Sequence, residues 1–144
     1  MHAVRHLTSK QTQRVNDYES QYSGLKALEH LLCDDAIVSE SSRDSWTVWL
    51  TFQYKVALDT SFAEMHAELI RGWLDRIIGL LSEAQAMGEI GEDIDVEFEA
   101  MAVWAYSAGV GQLGLLHPES MSPKMQKQLI SSYLDKLREN KLES

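Results

Sequence analysis

The stretch Met87-Gly-Glu-Ile-Gly-Glu-Asp-Ile-Asp-Val-Glu-Phe-Glu-Ala100, with the apolar run that follows it to Leu116, decides how this chain folds. Gly88 and Gly91 are expected to end a long helix, because a residue that readily takes positive φ suits the position just past a last turn. Asp95 is expected to cap the next helix, since its carboxylate can accept hydrogen bonds from the free N–H groups at a helix start. The stretch therefore predicts a break between two helices, the second running from Val96 to about Leu115.

The predicted helix from Val96 is unusual because residues 101–116 include no charged side chain. Small residues recur along it, at Ala105, Ser107, Ala108, Gly109, Gly111 and Gly114. A helix that is apolar all round is expected to be buried all round, and small residues let the backbone of another helix come close. We therefore expect a central helix with one face for a partner.

Length and charge limit the class of protein. A chain of 144 residues is long enough for one domain with its own core. The formal net charge of -9 argues against a nucleic-acid surface in these residues, because such binding depends mainly on Lys and Arg.

Cys33 is the single cysteine, so it cannot form an internal disulfide. No segment has the apolar length of a membrane span and the start lacks a signal-peptide core, so we expect a cytoplasmic protein without membrane contact.

The spacing of apolar residues predicts six helices and no strand, which is an all-α helical bundle. The expected helices cover residues 1–20, 24–33, 44–58, 61–87, 96–115 and 123–139. Ser42 or Asp44 is expected to cap the third helix, and Ser122 with Pro123 to begin the last one. The third helix carries apolar residues nearly all round, so we expect it to be buried like the central helix.

No catalytic or metal-binding motif is complete in this sequence. His2 and His6 have the i, i+4 spacing of two metal ligands on a helix, but nothing nearby supplies the other ligands. The Glu-x-x-His pairs of a di-iron bundle, a Gly-x-Ser-x-Gly motif and a phosphate-binding glycine loop are all missing. We therefore expect no metal, no other cofactor and no enzyme, while an enzyme built on a helical bundle remains an alternative.

Aromatic side chains are dense on three of the predicted helices. Trp46, Trp49, Phe52 and Tyr54 share the third helix, Trp73 lies on the fourth, and Trp104 and Tyr106 lie on the fifth. Ordinary core packing accounts for any one ring, and for His66 on the apolar stripe of its helix. Together the rings are typical of an apolar pocket with few polar groups that takes a flat aromatic or cationic ligand. The candidate ligand-binding residues are Trp46, Trp49, Phe52, Gln53, His66, Trp73 and Trp104.

Three segments, Asp44–Phe62, Gly88–Ala100 and Ala108–Val110, resemble the C-terminal domain of TetR-family transcriptional regulators, in particular the BetI type. The resemblance covers roughly residues 3–138. Thr60 stands where the family often has Pro, Gln53 where an aromatic residue is common, and Ala108-Gly109-Val110 where Asp-Gly-Leu is usual. None of these departures alters the expected fold, but the second and third count against a ligand shared across the family.

The resemblance implies one ligand-sensing and dimerising domain over residues 1–144, with residues 1–20 as a connecting helix. The helices within 96–139 would form a four-helix bundle with those of a second copy. The expected interface comprises Ala105, Gly109, Gln112, Leu116, Met125, Leu129 and Tyr133. Family members begin with a basic helix-turn-helix domain, whereas this chain starts at what resembles the family's fourth helix. DNA would thus be contacted only through a domain absent from these residues, on which the stripe of Val4 and Leu7 would partly pack.

Two functions follow from the resemblance. The first is a homodimeric effector-binding domain of a regulator, expected to be a repressor, that senses a small, largely apolar or cationic molecule. In it, the effector would shift the connecting helix and so the separation of two DNA-reading heads, whose half-sites lie about 34 Å apart. The alternative is a headless interaction module that dimerises with an intact regulator and antagonises its DNA binding.

Overall fold

A computed structural model describes residues 2–34, 36 and 39–143. These residues form α-helices and one short 3-10 turn, Thr60–Phe62, and contain no strand, which confirms the predicted all-α bundle. The helices are α1 (His2–Gln21), α2 (Gly24–Asp34), α3 (Glu40–Leu58), α4 (Ala63–Ala86), α5 (Val96–Leu116) and α6 (Pro123–Glu143).

The turn between α4 and α5 forms largely as the sequence predicts. Gly88 has a φ of 74°, and the N–H of the next residue, Glu89, donates to the Ala84 carbonyl at 2.9 Å. This is the left-handed helix ending that favours glycine. Gly91 is buried without taking positive φ, so the expectation that both glycines serve this role is wrong. Instead, the Gln85 amide holds the remainder of the turn by donating to the Gly91 carbonyl at 2.9 Å.

Side-chain caps begin three of the helices. Asp95 caps α5 as predicted, because its Oδ1 accepts from the Glu97 N–H at 3.1 Å. Ser122 likewise accepts at the start of α6, from the Met125 N–H at 3.2 Å. The expected cap of α3 is wrong: Ser39 is the N-cap, and it exchanges hydrogen bonds with Ser42 in a capping box. The serine-rich segment therefore belongs to α3, which begins at Glu40 rather than at Asp44.

The main core lies between α2, α4, α5 and α6. Its fully buried side chains include Leu25, Leu28, Ile77, Leu81, Val103 and Leu134. α1 packs on α2 and α3, and its Val4 is buried within the chain. The expectation that Val4 would pack on another domain is therefore wrong.

α3 is not buried all round, so the prediction that it would be is wrong. Only Trp46 and Phe52 are buried on it, whereas Tyr54 is 65% and Leu58 is 71% exposed. The reason is position, because α3 lies at the edge of the bundle and packs mainly on α1, α5 and the start of α4. An apolar composition cannot by itself distinguish a helix with neighbours on one side from a helix surrounded by them.

α5 is buried on one side only within the single chain, and the sequence predicts that its other side meets a partner. Its inner side carries Ala100, Val103, Val110, Gly111 and Gly114, all of which are buried. Its outer side exposes large apolar residues, of which Phe98 is 72% and Leu116 is 54% exposed in the single chain. The charge-free segment of α5 is thus left uncovered on one side by the rest of the chain.

Candidate functional site

The first half of α3 is fixed to the last turns of α5. The Trp46 ring lies directly over Gly111, where an added Cβ would come within 2.0 Å of Trp46 Cζ2. Trp46 also packs with Leu115, and the Arg43 guanidinium donates to the Leu115 carbonyl at 2.9 Å. A cation at the carbonyl end of a helix interacts favourably with the helix dipole. These contacts make the first half of α3 and the end of α5 one packed unit.

The second half of α3 faces the start of α4 through four rings. The Trp49 ring centroid lies 5.6 Å from that of His66 at an interplanar angle of 19°, and 5.8 Å from that of Phe52. Phe52 also contacts His66 at 5.8 Å and meets Phe62 at 6.4 Å in an edge-on arrangement. Helical spacing puts the members of each pair side by side, since Trp49 and Phe52 are three residues apart and Phe62 and His66 are four apart. The packing of α3 on the start of α4 then brings the two pairs together. We call Trp49, Phe52, Phe62 and His66 the ring cluster.

His66 is the polar member of the ring cluster. Its Nε2 is buried and has no hydrogen-bond partner among the described residues. Burial lowers the pKa of His66 below its usual value near 6.5, because the charged imidazolium is poorly solvated there, and no charged neighbour contributes to the shift. The side chain is therefore neutral at pH 7, with one ring nitrogen able to donate and the other able to accept.

The structure brings together some of the predicted ligand-binding residues and separates others. Trp46 and Trp49 pack in one cluster, and Trp49, Phe52 and His66 share the ring cluster. Gln53, also on α3, is half-buried, whereas Trp73 and Trp104 pack against the main core. Tyr54 and Tyr106 were expected to point into a shared interior with these rings, and they do not. Tyr54 is exposed, and Tyr106 packs on Tyr133.

The outer side of α5 carries a continuous stripe without charge. Its members recur every three or four residues, which places them on one face of the helix. This outer α5 face consists of Phe98, Met101, Ala105, Gly109, Gln112 and Leu116. Five of the six are exposed, and at the half-buried Gly109 an added Cβ would meet nothing within 4 Å. Met125 at the start of α6 is also exposed.

The small residues of α5 divide between two roles. Gly111 lies under the Trp46 ring, and Gly114 lies under the amide of buried Gln126, 2.7 Å from where a Cβ would stand. Both therefore serve packing inside the chain. Ala105 and Gly109 remain on the outer face.

Two predicted interface residues on α6 already have contacts within the chain. Leu129 is half-buried, and its carbonyl accepts from the Tyr106 hydroxyl at 3.1 Å. Tyr133 is also half-buried, and it donates a short hydrogen bond to the Glu99 carboxylate. Burial, followed by that carboxylate, raises the pKa of the Tyr133 hydroxyl well above its usual range. These contacts hold α6 against α5 and so fix the position of the outer α5 face.

Two contributors to these surfaces were missed from the sequence. Phe62 lies four residues before His66, a spacing that could have revealed it. Arg43 gave no such signal, since its acceptor, the Leu115 carbonyl, lies far away along the chain.

Neither metal-site geometry nor a membrane-spanning helix is found in the residues that the structure describes. No three His, Cys, Asp or Glu side chains among them converge in a way that would hold a metal ion, and His2 and His6 are exposed on α1. Within the same residues, each helix is too short or too polar to cross a bilayer.

Residues 25–139, well over half of the chain, match the family model described as BetI-type transcriptional repressor, C-terminal. The chain therefore belongs to the TetR family, as a C-terminal domain of the BetI type, which confirms the resemblance. This family of domains is regulatory and not enzymatic. None of the curated proteins compared with the chain matches it.

Proposed function

We propose that this chain senses a small-molecule effector at the ring cluster and forms a homodimer through α5 and α6, as the regulatory domain of a transcriptional repressor. The observation that carries the proposal is the outer α5 face. Contiguous apolar surface of this kind on a single chain marks an interaction site. Four of its six members, Ala105, Gly109, Gln112 and Leu116, are also residues at which the sequence predicts a partner.

A second copy of the chain is the partner that fits this face best. In a two-fold dimer the same patch meets itself, so each apolar residue needs an apolar counterpart and no charge has to be matched. Ala105 and Gly109 lie midway along the stripe, where short side chains allow two helices to approach closely. Phe98, Leu116 and Met125 would then cover the ends of the contact.

α3 supplies a physical connection between the ring cluster and this interface. Trp49 and Phe52 on its second half contact the cluster, whereas Arg43 and Trp46 on its first half hold the end of α5. A ligand that separates the rings would move α3, and α3 cannot move without disturbing α5. Because α1 also packs on α3, the movement would reach the helix that the resemblance implies is the connecting helix.

Two measurements test the proposal. Light scattering behind a sizing column should give about twice the chain mass of 16.3 kDa at micromolar concentration. Titration with a set of metabolites should change the fluorescence of Trp49, and Trp49→Phe should abolish the part of the response that arises at the ring cluster. A monomer would contradict the interface. A dimer without a response to any compound would contradict effector sensing and favour the headless interaction module.

A further inference from the structure

The ring cluster contains one buried polar atom that the described part of the chain leaves without a hydrogen-bond partner, His66 Nε2. Three apolar or weakly polar rings, those of Trp49, Phe52 and Phe62, surround that imidazole or lie one ring away from it. Leaving a buried donor or acceptor unpaired is destabilising, so such an atom calls for a partner. A ligand that enters the cluster can supply that partner.

We propose that the effector is an uncharged, flat aromatic molecule with one hydrogen-bonding group, of which a phenol is the simplest example. Its ring would stack among Trp49, Phe52 and Phe62, and its polar group would pair with His66 Nε2. This inference rests on the proposed function and names the ligand class of the same site.

The surroundings disfavour a cationic ligand. The contacting ring pairs of the cluster have centroid separations of 5.6 to 6.4 Å, and none of these rings carries a negative charge that could pair with an ammonium group. The charged residues of the adjoining turns, Lys55, Asp59 and Glu64, are exposed, and no charged group shifts the pKa of His66. A buried cation would therefore lose its hydration without gaining a counter-charge.

The surroundings also disfavour a pure hydrocarbon and an anion. A hydrocarbon would exclude water from the cluster and leave Nε2 unpaired. An anion would need a positive charge or several donors, whereas His66 is neutral at pH 7 and offers one atom. A hydroxyl group suits that atom in either tautomer of the imidazole, because it can both donate and accept.

Three probes of similar size separate these possibilities: p-cresol has the hydroxyl, toluene lacks it, and benzyltrimethylammonium carries a cation. Calorimetric titration of the full chain at pH 7 should show that p-cresol binds about fivefold tighter than toluene, the net effect of one hydrogen bond. Benzyltrimethylammonium should bind more weakly than either compound.

Variants locate the selectivity on His66. His66→Phe keeps a ring but removes Nε2, so p-cresol and toluene should bind to this variant with about equal affinity. His66→Gln keeps a polar group and should retain part of the preference, which controls for lost packing. His117→Phe makes the same substitution at an exposed position after α5 and should leave the preference unchanged.

The possible outcomes distinguish the ligand class from the proposed function. Tighter binding of the cation, equal binding of toluene, or no binding of any probe would overturn the ligand class. So would a preference for p-cresol that survives in His66→Phe. Effector sensing itself would still stand in each case if the metabolite titration gives a Trp49-dependent fluorescence change, and it would fall only if that change is absent.

Discussion

Gly111 is the position at which the packing of α3 on α5 can be measured most sharply. In Gly111→Ala the new methyl group would stand 2.0 Å from Trp46 Cζ2 and 2.2 Å from Cη2, so the ring or the helix must move. Overpacking of a fitted contact costs about 1–3 kcal/mol. Replacing a glycine by alanine inside a helix gains about 0.8–1 kcal/mol of helix propensity. We therefore expect a net loss of up to about 2 kcal/mol in the free energy of unfolding.

Gly79→Ala is the matched control, because Gly79 lies inside α4 with nothing within 4 Å of an added Cβ. It should raise the free energy of unfolding by about 0.5–1 kcal/mol, so the two variants differ in sign. Urea denaturation at one protein concentration, with stability read from midpoint and slope, measures both. In a Trp46→Leu background the penalty of Gly111→Ala should disappear, since the ring it meets is gone. If Gly111→Ala stabilises the protein as much as Gly79→Ala does, the described approach of Trp46 to α5 is wrong.

Two further variants address the helix cap and the buried imidazole. Asp95→Ala removes the acceptor for the Glu97 and Phe98 N–H groups and should lower the free energy of unfolding, measured by urea denaturation, by about 1 kcal/mol. Asp95→Asn keeps an acceptor oxygen and should lower it by less. Equal losses in the two variants would show that the charge of Asp95 matters rather than its capping hydrogen bonds. The pKa of His66 is lower folded than unfolded, so its neutral form favours the folded state. Stability should therefore fall as the pH drops below about 6.5, until the pKa of His66 in the folded state is passed. In thermal unfolding at a series of pH values, His66→Phe should flatten this part of the dependence of stability on pH. An unchanged dependence in His66→Phe would show that another group titrates in this range.

Features set by neighbouring residues could be predicted from the sequence. The end of α4 follows from the conformational freedom of Gly88, and the starts of α5 and α6 follow from the hydrogen bonds that Asp95 and Ser122 accept. Each of these residues acts within one turn of its own position. The α3 cap was misassigned because the segment 39–44 holds four side chains able to cap, Ser39, Ser41, Ser42 and Asp44, and the local pattern does not rank them. Helix existence followed from periodicity, although α3 begins four residues earlier than expected, α4 begins two residues later, and α6 ends four residues later.

The candidate site was predicted in part, for a similar reason. Trp49 and Phe52 lie on one face of α3 because they are three residues apart, and that spacing is visible in the sequence. His66 meets them only because α3 packs on the start of α4. The positions of Trp73 and Trp104 against the main core depend on how whole helices pack, which spacing does not encode. The same limit applies to Gly111, since nothing local shows that Trp46 will lie over it.

In the proposed dimer, a second copy of the chain covers the outer α5 face. Sedimentation equilibrium of Ala105→Arg beside Ala67→Arg tests it most directly, because Ala67 is an exposed alanine on α4 outside that face. An unpaired charge buried in the interface costs about 3–5 kcal/mol, which weakens association at least about 100-fold. Ala105→Arg should have a mass near 16.3 kDa, and Ala67→Arg should have about twice that mass. A dimeric Ala105→Arg with unchanged affinity would contradict it.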